Sequence, residues 1–99
     1  MSTLHVLSHS PFTDSRLGSC LRLLGTEDAL LLCGDAVYAV QPHSLPCDAL
    51  EQQHAHLSLF ILDEDLQARG LECPDWATRV DYATFVELSL RYTKVNTWL

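Results

Sequence analysis

The sequence predicts a single-domain α/β fold, with a parallel sheet of four to five strands and helices on both faces. A chain of 99 residues has the length of one domain. Short apolar runs typical of buried strands alternate along it with segments of helical periodicity. Alternation of strands and helices over this length is typical of right-handed βαβ units, which build a parallel sheet.

The clearest strand and helix lie in the middle of the chain. The apolar run 57–62 has strand length and β-type residues at its centre, which predicts a strand buried on both faces. A short helix should follow, with Asp63 as its N-cap, Arg69 in its last turn and Gly70 in the left-handed closing position. Ligands of open α/β sheets bind at the carboxyl ends of strands, so we expect function at this junction first.

The other elements are predicted from shorter patterns. Strands are expected at 4–7, 29–33 and 78–80. Helical segments are expected from the Ser10–Pro11 turn to about Leu24, over 36–40 and over 47–53. The first helix carries an apolar stripe at i, i+3, i+4 and i+7, which should face the core and consists of Leu17, Cys20, Leu21 and Leu24.

The last predicted helix begins after Asp81, which can cap it. Its inward side is predicted to consist of Tyr82, Phe85, Val86 and Leu90. No strand is assigned to the residues that follow, which end in Trp98-Leu99. A terminal indole would leave a large aromatic surface in water if it were free. Trp98 and Leu99 are therefore predicted to lie in a subunit interface, with packing of Trp98 against this domain as the alternative.

Composition limits the function classes. The net charge of −7, from 13 acidic and 6 basic residues, argues against a phosphate-binding surface, so we expect no direct nucleic-acid binding. The sequence has neither a signal-peptide pattern nor an apolar run of about 18 residues, which predicts a cytoplasmic protein without membrane association. We expect no cofactor, because phosphate loops, dinucleotide fingerprints and serine-nucleophile motifs are not found.

The cysteines and histidines supply few candidate ligands. Cys20, Cys33, Cys47 and Cys73 are widely spaced, which favours neither a disulfide framework nor a zinc site. Cys33 is expected in the core, and Cys47 is expected to be an exposed thiol. Cys73 is expected in a loop, and acidic neighbours should raise the pKa of both Cys47 and Cys73. His54-x-His56 is more simply explained as part of a solvated loop than as a pair of metal ligands. The acidic run 63–65 is more simply explained as a charged helix start than as an acid/base cluster.

Four stretches together resemble the DsrH/TusB family of small sulfur-relay subunits. They are Leu4-His5 through Ser10-Pro11-Phe12, Leu30–Leu32 with Asp35, Leu62 through Gly70, and Val80-Asp81-Tyr82 through Phe85-Val86 to Trp98-Leu99. The resemblance implies a Rossmann-like subunit in a heterohexamer with TusC/DsrF-like and TusD/DsrE-like subunits. Such a complex passes persulfide sulfur between protein thiols, and a TusE/DsrC-like acceptor receives it. The sulfur serves 2-thiolation of the tRNA wobble uridine in one branch and dissimilatory sulfur oxidation in the other.

Cys20 is the candidate persulfide carrier of this chain. Gly18-Ser19-Cys20-Leu21 aligns with the helix cysteine of the DsrH branch. The resemblance also implies that the established sulfur-accepting cysteine belongs to the TusD/DsrE-like partner, and the helical stripe places Cys20 toward the core, where a thiol packs as a small hydrophobe. We therefore expect a mainly structural subunit. The alternatives are a DsrH-type carrier in sulfur oxidation and a homo-oligomeric interaction protein.

Overall fold

Five parallel strands form one sheet in a computed structural model that describes residues 2–98. The strands are β1 (Thr3–Leu7), β2 (Ala29–Leu32), β3 (Ser58–Leu62), β4 (Thr78–Val80) and β5 (Lys94–Trp98). Their spatial order is β4-β3-β2-β1-β5. The helices are α1 (Arg16–Leu23), α2 (Leu45–Gln53), α3 (Asp63–Ala68) and α4 (Tyr82–Arg91), with 3₁₀ segments at Gly34–Val40 and His54–His56. The predicted parallel α/β class is confirmed.

The two faces of the sheet are covered unequally. Side chains at alternate positions of β1, β2 and β3 meet residues from α1, α2, α3 and the first 3₁₀ segment in the larger core cluster. The opposite face packs against α4, whose buried residue is Leu88. β4 and β5 are the two edge strands of the sheet. α4 connects them, so it crosses this face and covers it.

β5 was not predicted, and its position explains why. It pairs in parallel with β1 along its full length, from Thr3 opposite Lys94 to Leu7 opposite Trp98. It is an edge strand, and its first four residues are exposed. A strand that is not buried needs no apolar run, so its sequence lacks the pattern that identifies a core strand.

Two predicted helix starts are wrong. The Ser10 hydroxyl accepts a hydrogen bond from the Phe12 backbone N–H at 3.2 Å, which forms a turn, and α1 begins only at Arg16. α3 begins at Asp63, and its N-cap is Leu62 without a side-chain cap. Asp63 instead accepts a hydrogen bond from the Gln67 amide at 2.7 Å. In both cases a polar residue that could cap the helix accepts a hydrogen bond from a different nearby group.

Two other local predictions are confirmed, and a third misses the start of its helix by two residues. Asp81 caps α4 by accepting the Thr84 N–H at 2.8 Å. Gly70 closes the α3 segment with φ 66°. α2 begins at Leu45, two residues earlier than predicted, because the Ser44 hydroxyl accepts the Cys47 N–H.

The predicted inward face of α4 is largely wrong. Leu88 is 2% exposed, and Phe85 and Tyr92 pack against the same cluster, which makes an inward stripe at i, i+3 and i+7. The exposed side consists of the residues that were predicted to be inward, Tyr82, Val86 and Leu90. The helix has two apolar stripes, and only the position of the sheet decides which one is buried.

Candidate functional site

The segments that follow the carboxyl ends of β1, β2 and β3 lie in close contact. Gly34, after β2, donates its N–H to Oδ2 of Asp65 in α3 at 2.7 Å. Its φ of 53° is in the left-handed region, and an added Cβ would lie 3.1 Å from the carbonyl oxygen of Ser8. The junction of β3 and α3, where a functional site was expected, is therefore closely packed, and the Asp65 carboxylate accepts a backbone hydrogen bond there.

The charges around α3 form ion pairs. Nη2 of Arg69 lies 2.8 Å from Oδ1 of Asp35, and Nη1 lies 3.7 Å from Oδ1 of Asp65. The hydrogen bond to Asp35 raises the pKa of Arg69. Asp63 is 3.5 Å from the Arg79 guanidinium. These contacts support the simpler interpretation of the acidic run as a charged helix start.

Cys20 is the most deeply buried thiol. It is 0% exposed and packs in the larger core cluster, on the side of α1 that the helical stripe predicts. Burial, and secondarily the negative charge of Asp28, raises the pKa of Cys20 to about 12. A thiol in this position is protonated near neutral pH and has no surface through which another protein's sulfur could reach it.

Cys33 follows β2 and faces the end of β1. Its backbone N–H donates to the carbonyl of Leu7 at 3.0 Å, and its Sγ lies 3.5 Å from the same oxygen. The residue is partly buried, and burial raises its pKa, with a smaller effect from Asp65.

Cys47 and Cys73 line one surface cavity of about 430 Å³. Cys47 is 8% exposed, so its prediction as an exposed thiol is wrong. Burial raises its pKa, followed by Glu51 and Asp48. Burial also raises the pKa of Cys73, which Arg79 partly opposes. The cavity therefore contains two protonated thiols beside carboxylates, an arrangement that disfavours nucleophilic sulfur.

Trp98, His5 and Asp28 form a network that sequence reasoning missed. The indole N–H of Trp98 donates to Nδ1 of His5 at 3.1 Å. An acceptor Nδ1 carries no proton, so the neutral ring has its proton on Nε2, which lies 3.5 Å from Oδ2 of Asp28. Asp28 also accepts the backbone N–H groups of Thr3 and Gly25, each at 2.9 Å.

This network attaches the end of β5 to β1 and to the segment before β2. Desolvation opposes ionisation of Asp28, but its hydrogen bonds and His5 outweigh that effect and lower its pKa. A histidine inside a strand was the one sequence signal for such a network, and its partners come from distant segments. Leu99 lies outside the described residues.

The H-x-H pair lies in the second 3₁₀ segment. His54 stacks on Trp76 with ring centroids 5.9 Å apart and an interplanar angle of 21°. Across residues 2–98, no three or more His, Cys, Asp and Glu side chains are grouped so that they could hold a metal ion. The helices of this part of the chain are all too short or too polar to cross a bilayer.

Comparison with known proteins identifies the family. The family model described as DsrH like protein matches residues 9–95. The chain belongs to the DsrH/TusB family. It is 40% identical to Protein TusB of Erwinia tasmaniensis over 97 residues, which cover 96% of this chain and 99% of that protein. It is 38% identical to Protein TusB of Yersinia enterocolitica, with the same coverage of both chains.

The fold is shared more widely than the sequence. The crystal structure of the ychN protein from E. coli matches with a TM-score of 0.78 at 20% identity, covering 99% of this chain and 100% of that one. Membership in the DsrH/TusB family supports the expectation of a sulfur-relay subunit.

Proposed function

We propose that this chain is a mainly structural subunit of a cytoplasmic sulfur-relay complex. The complex passes persulfide sulfur toward 2-thiolation of the tRNA wobble uridine. In this proposal the chain assembles with TusC/DsrF-like and TusD/DsrE-like subunits, two copies of each, and a TusE/DsrC-like protein accepts the sulfur. Family membership supports participation in a relay, and the state of the thiols supports the structural role.

The observation that best supports the structural role is that burial raises the pKa of all four cysteines. In persulfide transfer a thiolate attacks the outer sulfur of a donor persulfide. A new S–S bond forms, the donor S–S bond breaks, and the donor leaves as a thiolate. An acceptor must therefore be both ionised and reachable. Cys20 is neither, since it is 0% exposed and has a pKa of about 12.

The net charge of the chain also supports a structural role. A subunit with a net charge of −7 repels the phosphates of tRNA, so another protein of the relay should make the RNA contact. The sulfur would pass along the partners' cysteines while this chain completes the assembly.

The second candidate is a DsrH-type subunit of dissimilatory sulfur oxidation in which Cys20 carries the persulfide. The Gly18-Ser19-Cys20-Leu21 segment favours it, because it aligns with the helix cysteine of that branch. This function requires α1 to move away from the sheet, since Cys20 packs in the core cluster. A homo-oligomeric interaction protein without a relay role is a third possibility.

Both candidates are tested by following sulfur through the reconstituted complex. The chain is co-expressed with its two partner subunits, and isotopically labelled sulfur is supplied by a cysteine desulfurase and free cysteine. Peptide mapping by mass spectrometry then locates the persulfide on each subunit, and formation of 2-thiouridine in tRNA is measured in parallel. The variants are Cys20→Ser and, as a control at a thiol of the surface cavity, Cys47→Ser.

The structural role predicts label on a partner's cysteine and unchanged thiolation with either variant. Stoichiometric persulfide on Cys20, with loss of transfer in Cys20→Ser alone, would establish the carrier function instead. If the chain does not co-purify with either partner, the relay assignment is wrong and the interaction-protein alternative gains support.

A further inference from the structure

The exposed side of α4 carries an apolar stripe. Tyr82 is 54% exposed, Val86 59% and Leu90 81%. They lie at i, i+4 and i+8, so they line up along one side of the helix. Val95 of the adjacent edge strand is also 44% exposed. Together these four residues are called the α4 surface.

The α4 surface is not needed to hold the helix on the sheet. Leu88 is buried against the sheet, and Phe85 and Tyr92 pack beside it. The stripe formed by Tyr82, Val86 and Leu90 points away from this contact. Several large apolar side chains left exposed on one side of a helix are typical of an interaction surface.

The spacing of the stripe is symmetric about Val86. In an antiparallel pair of α4 helices centred on Val86, Tyr82 of one copy lies level with Leu90 of the other. Val86 lies opposite Val86 of the second copy. An isologous contact requires this property, because the same surface must fit itself after a two-fold rotation.

Charge also favours an antiparallel second copy. Asp81 lies at the amino end of α4, and Arg91 and Lys94 lie at its carboxyl end. Antiparallel pairing places the acidic end of one helix at the level of the basic end of the other, and it opposes the two helix dipoles. With Glu87, the segment 81–94 carries two acidic and two basic residues in a chain of net charge −7. This neutral segment lets two otherwise acidic copies approach.

We propose that the α4 surface binds a second copy of this chain across a two-fold axis at Val86. This inference rests on the proposed function, to which it adds the contact that joins the two copies of the subunit within the complex. The chain alone should form the same dimer.

Site-directed cross-linking tests the geometry. Packed helices lie about 8–10 Å apart with Cα atoms about 2.3 Å from each axis, so facing Cα atoms come within the roughly 4.4–6.8 Å that a disulfide needs. Val86→Cys should therefore form a disulfide-linked dimer under mild oxidation. Tyr82→Cys should not link to itself, because eight positions separate the two copies by about 12 Å along the axis. Mixed Tyr82→Cys and Leu90→Cys proteins should link to each other.

The wild-type chain and Leu23→Cys serve as controls on non-reducing gels. Leu23 is 67% exposed in α1, on the other face of the sheet. Size-exclusion chromatography with light scattering then compares Val86→Glu with Leu23→Glu. Val86→Glu should convert the dimer to a monomer with an unchanged circular-dichroism spectrum, whereas Leu23→Glu should leave the dimer intact.

In the co-expressed complex, Val86→Glu should give a particle with one copy of each subunit. An intact complex of full size, or equal cross-linking of Val86→Cys and Leu23→Cys, would overturn the inference while leaving the proposed function standing. A Val86→Cys cross-link to a different subunit would also overturn it, because a related chain would then occupy the surface. Failure of the wild-type chain to join the complex would instead count against the proposed function, and the cross-linking of the isolated chain would still decide this inference.

Discussion

Replacing Trp98 should reveal how strongly the last strand is held to the domain. The indole packs partly buried against the larger core cluster and donates its N–H to His5. Truncation of a fully buried Trp to Ala costs about 3–5 kcal/mol, so a half-buried ring should lose about 2 kcal/mol. His5 is 6% exposed, and the loss of its donor adds about 1 kcal/mol. Trp98→Ala should therefore reduce the free energy of unfolding by about 3 kcal/mol.

Two matched variants separate packing from hydrogen bonding. Trp98→Phe keeps most of the ring area but removes the N–H donor, so it should cost about 1 kcal/mol. In a His5→Leu background that hydrogen bond is already absent, and Trp98→Phe should then cost markedly less. Urea denaturation followed by circular dichroism measures each free energy. Since 1 kcal/mol corresponds to roughly 4–8 °C in a domain of this size, Trp98→Ala should lower Tm by more than about 10 °C.

The dependence of Tm on protein concentration distinguishes the two roles of Trp98 that the sequence predicts. If Trp98 acts within the domain, Trp98→Ala should lower Tm equally at low and high concentration. If it acts in a subunit interface, the loss should grow with concentration, because assembly stabilises only the folded chain. An unchanged Tm at both concentrations and an unchanged complex size would refute both roles.

Three other expectations concern a thiol, a carboxylate and two glycines. Cys20 should react slowly with iodoacetamide in the folded protein, and Cys20→Ala should cost about 1 kcal/mol in urea denaturation; rapid labelling under native conditions would contradict its burial. The pKa of Asp28 is below its ordinary value of 3.8, so its ionised form contributes stability above that pH, and the contribution is lost as pH falls through the folded-state pKa. An acid titration should show Asp28→Asn less stable than wild type at neutral pH, with the difference shrinking as pH falls through the folded-state pKa; parallel curves would disprove this. Gly34→Ala should destabilise the domain because of the positive φ and the close Ser8 carbonyl. Gly18→Ala has open space at its Cβ, so it should be neutral or stabilising by up to about 1 kcal/mol. The opposite order of stability in thermal melts would refute the backbone argument.

Local sequence patterns were sufficient for the parallel sheet and most of its helices. The apolar runs at β2 and β3 are buried strands, as their length and β-type composition predict. Asp81 and Gly70 mark a helix start and a helix end through short-range chemistry, a side-chain cap and a left-handed backbone. The stripe that places Cys20 in the core is also local, because it depends only on helical periodicity.

The tertiary structure decided the features that depend on distant segments. β5 is a strand because its backbone pairs with β1, and an edge strand needs no apolar pattern of its own. The partners of His5 are Asp28 and Trp98, which lie 23 and 93 positions away in the chain. The two apolar stripes of α4 are equally acceptable to an isolated helix, and contact with the sheet buries Leu88 and leaves Val86 exposed. Helical periodicity defines which residues share a face, but only packing decides which face is turned inward.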